Sequence, residues 1–264
     1  MAKPRLCFTL LYSEGKFHLS RNFRLQEVGD FEWLAENYEF ESISRSIDEL
    51  FILNVSRDEY DWLNFLENIK KVVKKCFMPV AVGGGIRKID QARSLFDNGA
   101  DKIVMGNAFY KNHRLVSQLV KKYGSQSIIA SIDFKKTNNN EFNVFLEYGV
   151  KPSSLNISQA VKMVENLGAG EIYLTSIERD GTGMGFDLDA LKLAYESCDL
   201  PIIASGGADT SLQLGEGILS NYVSAVSTAH LFNFMCDGLF DARSELISSG
   251  IPLSQWNFKG LDKW

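Results

Sequence analysis

The sequence predicts a single (β/α)8 barrel closed from two homologous halves, and three observations carry that expectation. Short β-rich runs alternate with helical patterns throughout the 264 residues, the order expected of a parallel sheet with helices outside it. The run "PVAVGGGIRKIDQARSLFDNGADKIVMGNAFY" from Pro79 returns as "PIIASGGADTSLQLGEGILSNYVSAVSTAHLF" from Pro201, an offset of 122 residues. The same offset relates "DELFILNVS" to "GEIYLTSIE", matching Glu49 to Glu171, and it matches Leu11 to Asp133. A constant shift at separated points indicates internal duplication. Four strand-helix units per half favour closure into a barrel over a doubly wound open sheet. The half-barrels cover about 1–122 and 123–248, with a C-terminal tail, in one domain over 1–264.

In chain order, the apolar run "RLCFTLL" makes 5–11 the first strand. Strand 49–55 follows, then a helix within 58–76, where "DWLNFLENIKKVVKK" spaces its apolar residues three and four apart. Strand 78–83 leads to helix 88–97, and strand 102–106 to helix 112–123. The second half supplies strand 127–133, helix 156–167, strand 171–176, helix 187–195, strands 201–205 and 222–227, and helix 236–248. The segment "KKTNNNEFNVFLEYG" after Asp133 is too polar for core and reads as a small hairpin at the barrel mouth.

Composition narrows the function classes. The chain is 45% hydrophobic, with a net charge of -5 and a pI near 5.4. That disfavours a general nucleic-acid surface. No apolar run is long enough to span a membrane, and the N-terminal segment lacks a secretory signal pattern. The four cysteines show no CxxC spacing, which fits reduced thiols and a cytoplasmic location. Three histidines without HExxH offer no metal site, and no cofactor is implied.

Barrel sites form above the C-terminal strand ends, where loop amides commonly take phosphate. Glycine groups occupy these positions at Gly83 to Gly85 and at Gly206 and Gly207, with "RDGTGMG" (Arg179 to Gly185) and "STAH" (Ser227 to His230) beside them. Glycine allows close backbone approach, and Thr182, Ser205 and Ser227 offer hydroxyls. Two opposed anion sites imply a substrate phosphorylated near both ends. Asp133 and Asp180 lie in the same mouth: Asp133 is a candidate for proton transfer, whereas Asp180 equally suits a loop-organising role. At the other mouth, Arg5, Glu49, Lys102 and Glu171 each begin a strand and can form a ring of alternating charge, or merely an ion-paired rim.

The motifs "GGGI", "GADK", "IDFK", "GAGEI", "RDGT" and "PIIASGGA", in that order, resemble the cyclase subunit of imidazole glycerol phosphate synthase over essentially the whole chain. The resemblance implies a duplicated barrel working beside a glutaminase. Ammonia travels along the axis to a bisphosphorylated ribonucleotide, and cleavage with ring closure yields imidazole glycerol phosphate and AICAR. It assigns Gly85 and Asn107 to one phosphate site. Gly181, Ser205, Gly207 and Ser227 fall to the other, with Gly206, Thr182 and Asp180 nearby. Arg5, Glu49, Lys102 and Glu171 match the gate, Asp101 a glutaminase-facing aspartate, and Asp133 one of two catalytic aspartates. The departures gather near the first strand. Leu11 replaces the other catalytic aspartate, Glu14, Gly15 and Lys16 stand for "DGR", and Leu19 replaces a lysine. Asn54 stands where the family has an aspartate, and Gly106 replaces a phosphate-site asparagine.

Leucine cannot move a proton, and Glu14 substitutes only if its loop folds inward. The leading expectation is therefore an ammonia-channelling barrel bound to a glutaminase as a heterodimer. It would supply ammonia to a sugar amidotransferase for amidino-sugar formation in surface-polysaccharide biosynthesis. The alternatives are an imidazole glycerol phosphate synthase cyclase subunit in histidine biosynthesis, a single-chain isomerase, and a non-catalytic adaptor binding a phosphorylated metabolite.

Overall fold

The computed structural model describes residues 3–38, 40–43, 45–57, 61–137 and 139–255. Strand β1 (Arg5–Ser13) turns into a hairpin of β2 (Lys16–Arg21) and β3 (Arg24–Gly29), followed by helices α1 (Phe31–Asn37) and α2 (Phe40–Ile43). The first half continues with β4 (Glu49–Asn54), α3 (Trp62–Val73), β5 (Val80–Gly83), α4 (Ile89–Asp97), β6 (Lys102–Met105), α5 (Ala108–Lys111) and α6 (His113–Tyr123). The second opens on β7 (Ile128–Lys136) and the hairpin β8 (Phe142–Leu146) and β9 (Lys151–Asn156), then α7 (Ile157–Asn166) and β10 (Glu171–Ser176). It ends with α8 (Leu188–Tyr195), β11 (Ile202–Ser205), α9 (Ser211–Leu219), β12 (Ala225–Thr228) and α10 (Gly238–Ser248).

Eight parallel strands run β1, β4, β5, β6, β7, β10, β11, β12 and return to β1. The Arg5 to Ala225 register closes the ring, which excludes an open sheet. Strands β4 and β10, and β5 and β11, begin 122 residues apart, and both nine-residue strands, β1 and β7, carry an antiparallel hairpin. Strand alternation divides the apolar residues in two. Cys7, Phe51, Ala81, Val104, Ile129, Tyr173, Ile203 and Ala225 fill the inside of the barrel, while the larger core lies between strands and helices. Helix α3 buries Phe65, Ile69 and Val72 along one face, and Asp61 caps it by accepting from the Leu63 and Asn64 amides. Helix α10 is fastened by Arg243, which donates to Asp48 at 3.0 Å; Asp48 in turn accepts from the Leu6 amide at 2.8 Å.

The hairpin after Asp133 forms as expected, with Asn138 outside the described residues; 58–60 likewise lie outside them, and α3 begins at Trp62. The hairpin β2–β3 was not expected. β1 turns into β2 through Glu14 and Gly15, and β2 into β3 through Asn22 and Phe23, all four at positive φ; a glutamate and a phenylalanine in such turns are weak signals. Helix α9 also escapes sequence reading because Gly215 and Gly217 dilute its apolar pattern. Each is a packing requirement: an added Cβ would lie 2.9 Å from Ile251 and 2.6 Å from Phe186, respectively. No helix among the described residues is long and apolar enough to cross a membrane.

Candidate active site

Side chains on β1 alternate, so Arg5, Cys7, Thr9 and Leu11 face the axis; on β7, Ile129, Ser131 and Asp133 do. The two strands are four places apart in an eight-stranded ring, which sets Leu11 and Asp133 on opposite walls of the upper mouth. Burial, reinforced by the charge of Asp180, pushes the Asp133 carboxyl up to about 7; a hydrogen bond from Ser131 offsets part of this. At neutral pH the group is thus divided between acid and carboxylate. Glu14 is exposed in its hairpin turn and is not brought to Leu11.

Asp180 organises the mouth. It accepts from Ser20 Oγ at 2.5 Å and the Phe23 amide at 3.0 Å, and its carbonyl accepts from the Asn22 amide at 2.9 Å. These bonds hold the hairpin β2–β3 across the barrel. Burial raises the Asp180 carboxyl, partly offset by the Ser20 and Phe23 bonds. Within the hairpin, β2 pairs antiparallel with β1 so that Leu11 faces His18 and Tyr12 faces Phe17. Tyr12 and Phe17 pack edge to face at 5.8 Å on the outer side, which leaves Leu11, His18 and Ser20 on the side of the mouth.

Both glycine groups are forced by close backbone approach. A Cβ at Gly84 would lie 2.0 Å from the Asn54 carbonyl oxygen, and one at Gly207 would lie 2.2 Å from that of Gly185. Ser20, Asp180, Gly181, Ser205, Gly207 and Ser227 line one hollow beneath the hairpin. Gly85 tops β5 on the opposite flank. The expected hydroxyl donors are engaged elsewhere. Thr182 donates to the Arg179 carbonyl at 2.6 Å, and Ser205 donates to Tyr173 at 3.0 Å. Ser227 is buried and shares a 2.7 Å hydrogen bond with Thr9. Asn107 accepts from the Glu147 amide at 3.3 Å and so ties α5 to the second hairpin. An anion in this hollow would therefore meet mainly backbone amides.

Gly181 has φ +65°, and a Cβ there would lie 1.9 Å from the Ser20 carbonyl oxygen. Gly181→Ala is expected to cost about 1–3 kcal/mol and to lift the hairpin from the mouth. Denaturant unfolding with limited proteolysis at residues 14–29 checks this; an unchanged midpoint and cleavage pattern would contradict the contact.

At the lower end Arg5 bridges Glu49 and Glu171, while Lys102 lies 2.8 Å from Glu49 and 3.2 Å from Glu171. The four side chains make a closed ring of alternating charge on the axis. Burial raises the Glu49 carboxyl despite the opposing pull of Lys102 and Arg5. Asp101 sits exposed beside the ring, its carboxylate accepting from the Val80 amide at 2.8 Å. Between ring and mouth, Phe51 and Tyr173 pack with ring centroids 5.0 Å apart and planes tilted by 41°. The Tyr173 hydroxyl meets Thr9, Ser205 and Ser227. No sequence motif marks this network, which depends on side chains from four strands meeting inside the barrel. Among the described residues no group of His, Cys, Asp and Glu is placed to hold a metal.

A family profile described as "Histidine biosynthesis protein" matches residues 21–234. The chain is 40% identical over 257 residues to a putative imidazole glycerol phosphate synthase subunit, hisF2, of Parasynechococcus marenigrum, covering 97% of this chain and 95% of that one. It is 38% identical over 206 residues to imidazole glycerol phosphate synthase subunit HisF of Chlorobium limicola, covering 78% and 82%. For the HisF subunit of Pyrobaculum aerophilum, identity is 36% over 233 residues, covering 88% and 90%. These relatives overturn the expectation of an ammonia-channelling barrel for amidino-sugar and polysaccharide formation. Leu11 and the other altered positions near the first strand do not outweigh similarity along nearly the whole chain.

Proposed function

The chain belongs to the cyclase-subunit family of imidazole glycerol phosphate synthase, and from that premise we propose that it performs the family's reaction in histidine biosynthesis: a bisphosphorylated ribonucleotide and ammonia give imidazole glycerol phosphate and AICAR. The observation that carries this reading is the mouth itself. Asp133, with a carboxyl raised to about 7, shares the upper mouth with a glycine-lined hollow on one flank and the tight Gly84–Gly85 turn on the other, a layout suited to the two ends of such a substrate. Amides there hold the phosphates and bring the reacting carbons over Asp133, so that positioning lowers the barrier before any proton moves. A group titrating near the working pH is efficient both as donor and as acceptor.

Ammonia enters from the lower face. A glutaminase docked there, with Asp101 at its border, forms a heterodimer and releases ammonia against the ring of Arg5, Glu49, Lys102 and Glu171. The four free cysteines fit a cytoplasmic setting.

The experiment is turnover of the bisphosphorylated ribonucleotide by the purified chain with ammonium and no glutaminase. Formation of both products supports the reading. Substrate binding without products would instead support a metabolite-binding adaptor, the second reading that Leu11 favours.

A further inference from the structure

The hollow beneath the hairpin β2–β3 is short of side-chain donors for an anion. Two acidic residues line it, Asp180 and Asp209, and no lysine or arginine does. Its hydroxyls are committed to protein partners. Ser20 donates to Asp180, Ser205 to the Tyr173 hydroxyl and Thr228 to the Ala208 carbonyl at 2.9 Å, while Ser227 is shared with Thr9. A phosphate seated there depends on hydrogen-bond donors alone, and it gains most from a donor that no neighbour already holds. One lining side chain meets that condition: His230, the last residue of the "STAH" run that ends β12.

The loop after β12 positions this ring. Thr228 is buried, and its hydroxyl accepts from the His230 amide at 3.3 Å, which holds the backbone. Leu231, next in the chain, is fully buried and leads into the short turn Phe232–Phe234. In that turn the Asn233 amide donates to His230 Nδ1 at 3.2 Å. The Asn233 side chain donates to the Asp209 carbonyl at 3.0 Å, which ties the loop after β12 to the loop after β11. An imidazole nitrogen that accepts a hydrogen bond carries no proton, so the ring proton sits on Nε2. That N–H has no partner among the described residues, and it is not sealed from solvent. The residue is half-buried in the wall of the hollow.

We propose that His230 binds one phosphate of the substrate, its Nε2–H donating to a phosphate oxygen beside the backbone amides of the hollow. The proposal rests on the cyclase reading for the identity of the substrate and adds a binding residue to it. The residue type suits the place. A lysine would pair with the acidic residues of the wall, whereas a ring with Nδ1 held by Asn233 presents a single donor in a fixed direction.

The test is titration with inorganic phosphate followed by 15N–1H NMR of the histidine rings, joined to turnover of the bisphosphorylated ribonucleotide with ammonium. The chain has three histidines, and the His230 signals are those missing from a His230→Gln sample. Phosphate should shift the His230 Nε2 signal saturably. Two variants then separate the ring nitrogens. Glutamine places an N–H donor near the position of Nε2. Asparagine places an acceptor near that of Nδ1, so it keeps the bond from the Asn233 amide and loses the donor. His230→Asn should weaken phosphate binding and raise KM by about 10–100-fold, the worth of one hydrogen bond to a charged group, with kcat little changed. His230→Gln should stay close to wild type. A purely structural ring would tolerate asparagine and not glutamine, or lose equally with both, and either result overturns the proposal. Phosphate that leaves the His230 signal unmoved overturns it as well. Binding that depends on His230 in a protein without turnover supports the site and removes the cyclase reading alone. Turnover with KM unmoved in His230→Asn removes His230 alone.

Discussion

Asp133→Asn is expected to lower turnover by about 10²–10⁴-fold, because the amide keeps the shape of the side chain but cannot exchange a proton. The same substitution should stabilise the protein at alkaline pH. Folding raises the Asp133 carboxyl from 3.8 to about 7, so the folded state holds a proton that the unfolded state has lost across that window. Stability therefore falls as pH rises from about 4 to 7 and stays low above it. Removing the charge should return about 1–3 kcal/mol at pH 8 and nothing near pH 4, a figure set below the full shift because water still reaches part of the side chain. Activity assays and chemical denaturation of the two proteins at both pH values check the pair of effects. Equal stability at pH 8 would mean that the carboxyl is not desolvated.

The second large effect concerns the lower ring. Arg5→Met leaves Glu49 and Glu171 to share Lys102, two carboxylates against one ammonium, with Glu49 almost fully buried. Breaking one partner of a buried pair is costly, and a loss of about 2–4 kcal/mol at pH 7 is expected. Burial already raises the Glu49 carboxyl, and removing Arg5 raises it further. Protonation at low pH then relieves the excess charge, so the penalty should shrink as pH falls. Arg5→Met with Glu49→Gln restores one cation to one anion and should recover at least half of the loss. A double variant no more stable than the single one would show that the ring is a set of independent pairs.

The ring illustrates what was legible in the sequence. Its four members stand at strand starts, and a period of two delivers them to the axis whatever the neighbouring loops do. The duplication was legible for a similar reason, since β4 and β10 and β5 and β11 keep one offset. The mouth was legible only in part. Asp133 follows from its strand, but Ser205 and Ser227 look like phosphate donors until Tyr173 reaches them from another strand. Asp180 reads either way in sequence, and Ser20 and the Phe23 amide donating to it show its loop-organising role. Leu11 drew attention to a missing carboxylate, whereas the strand paired with it belongs to a hairpin whose turn carries an uncommon Glu-Gly pair.

The proposed reaction builds ammonia into a ring at this mouth. Its most direct test is incubation of the protein with the bisphosphorylated ribonucleotide and 15N-labelled ammonium, followed by mass spectrometry and nitrogen NMR of the products. One 15N in the imidazole ring of imidazole glycerol phosphate, and none in AICAR, is the predicted result. Unchanged substrate, or a product that carries no label, would contradict it.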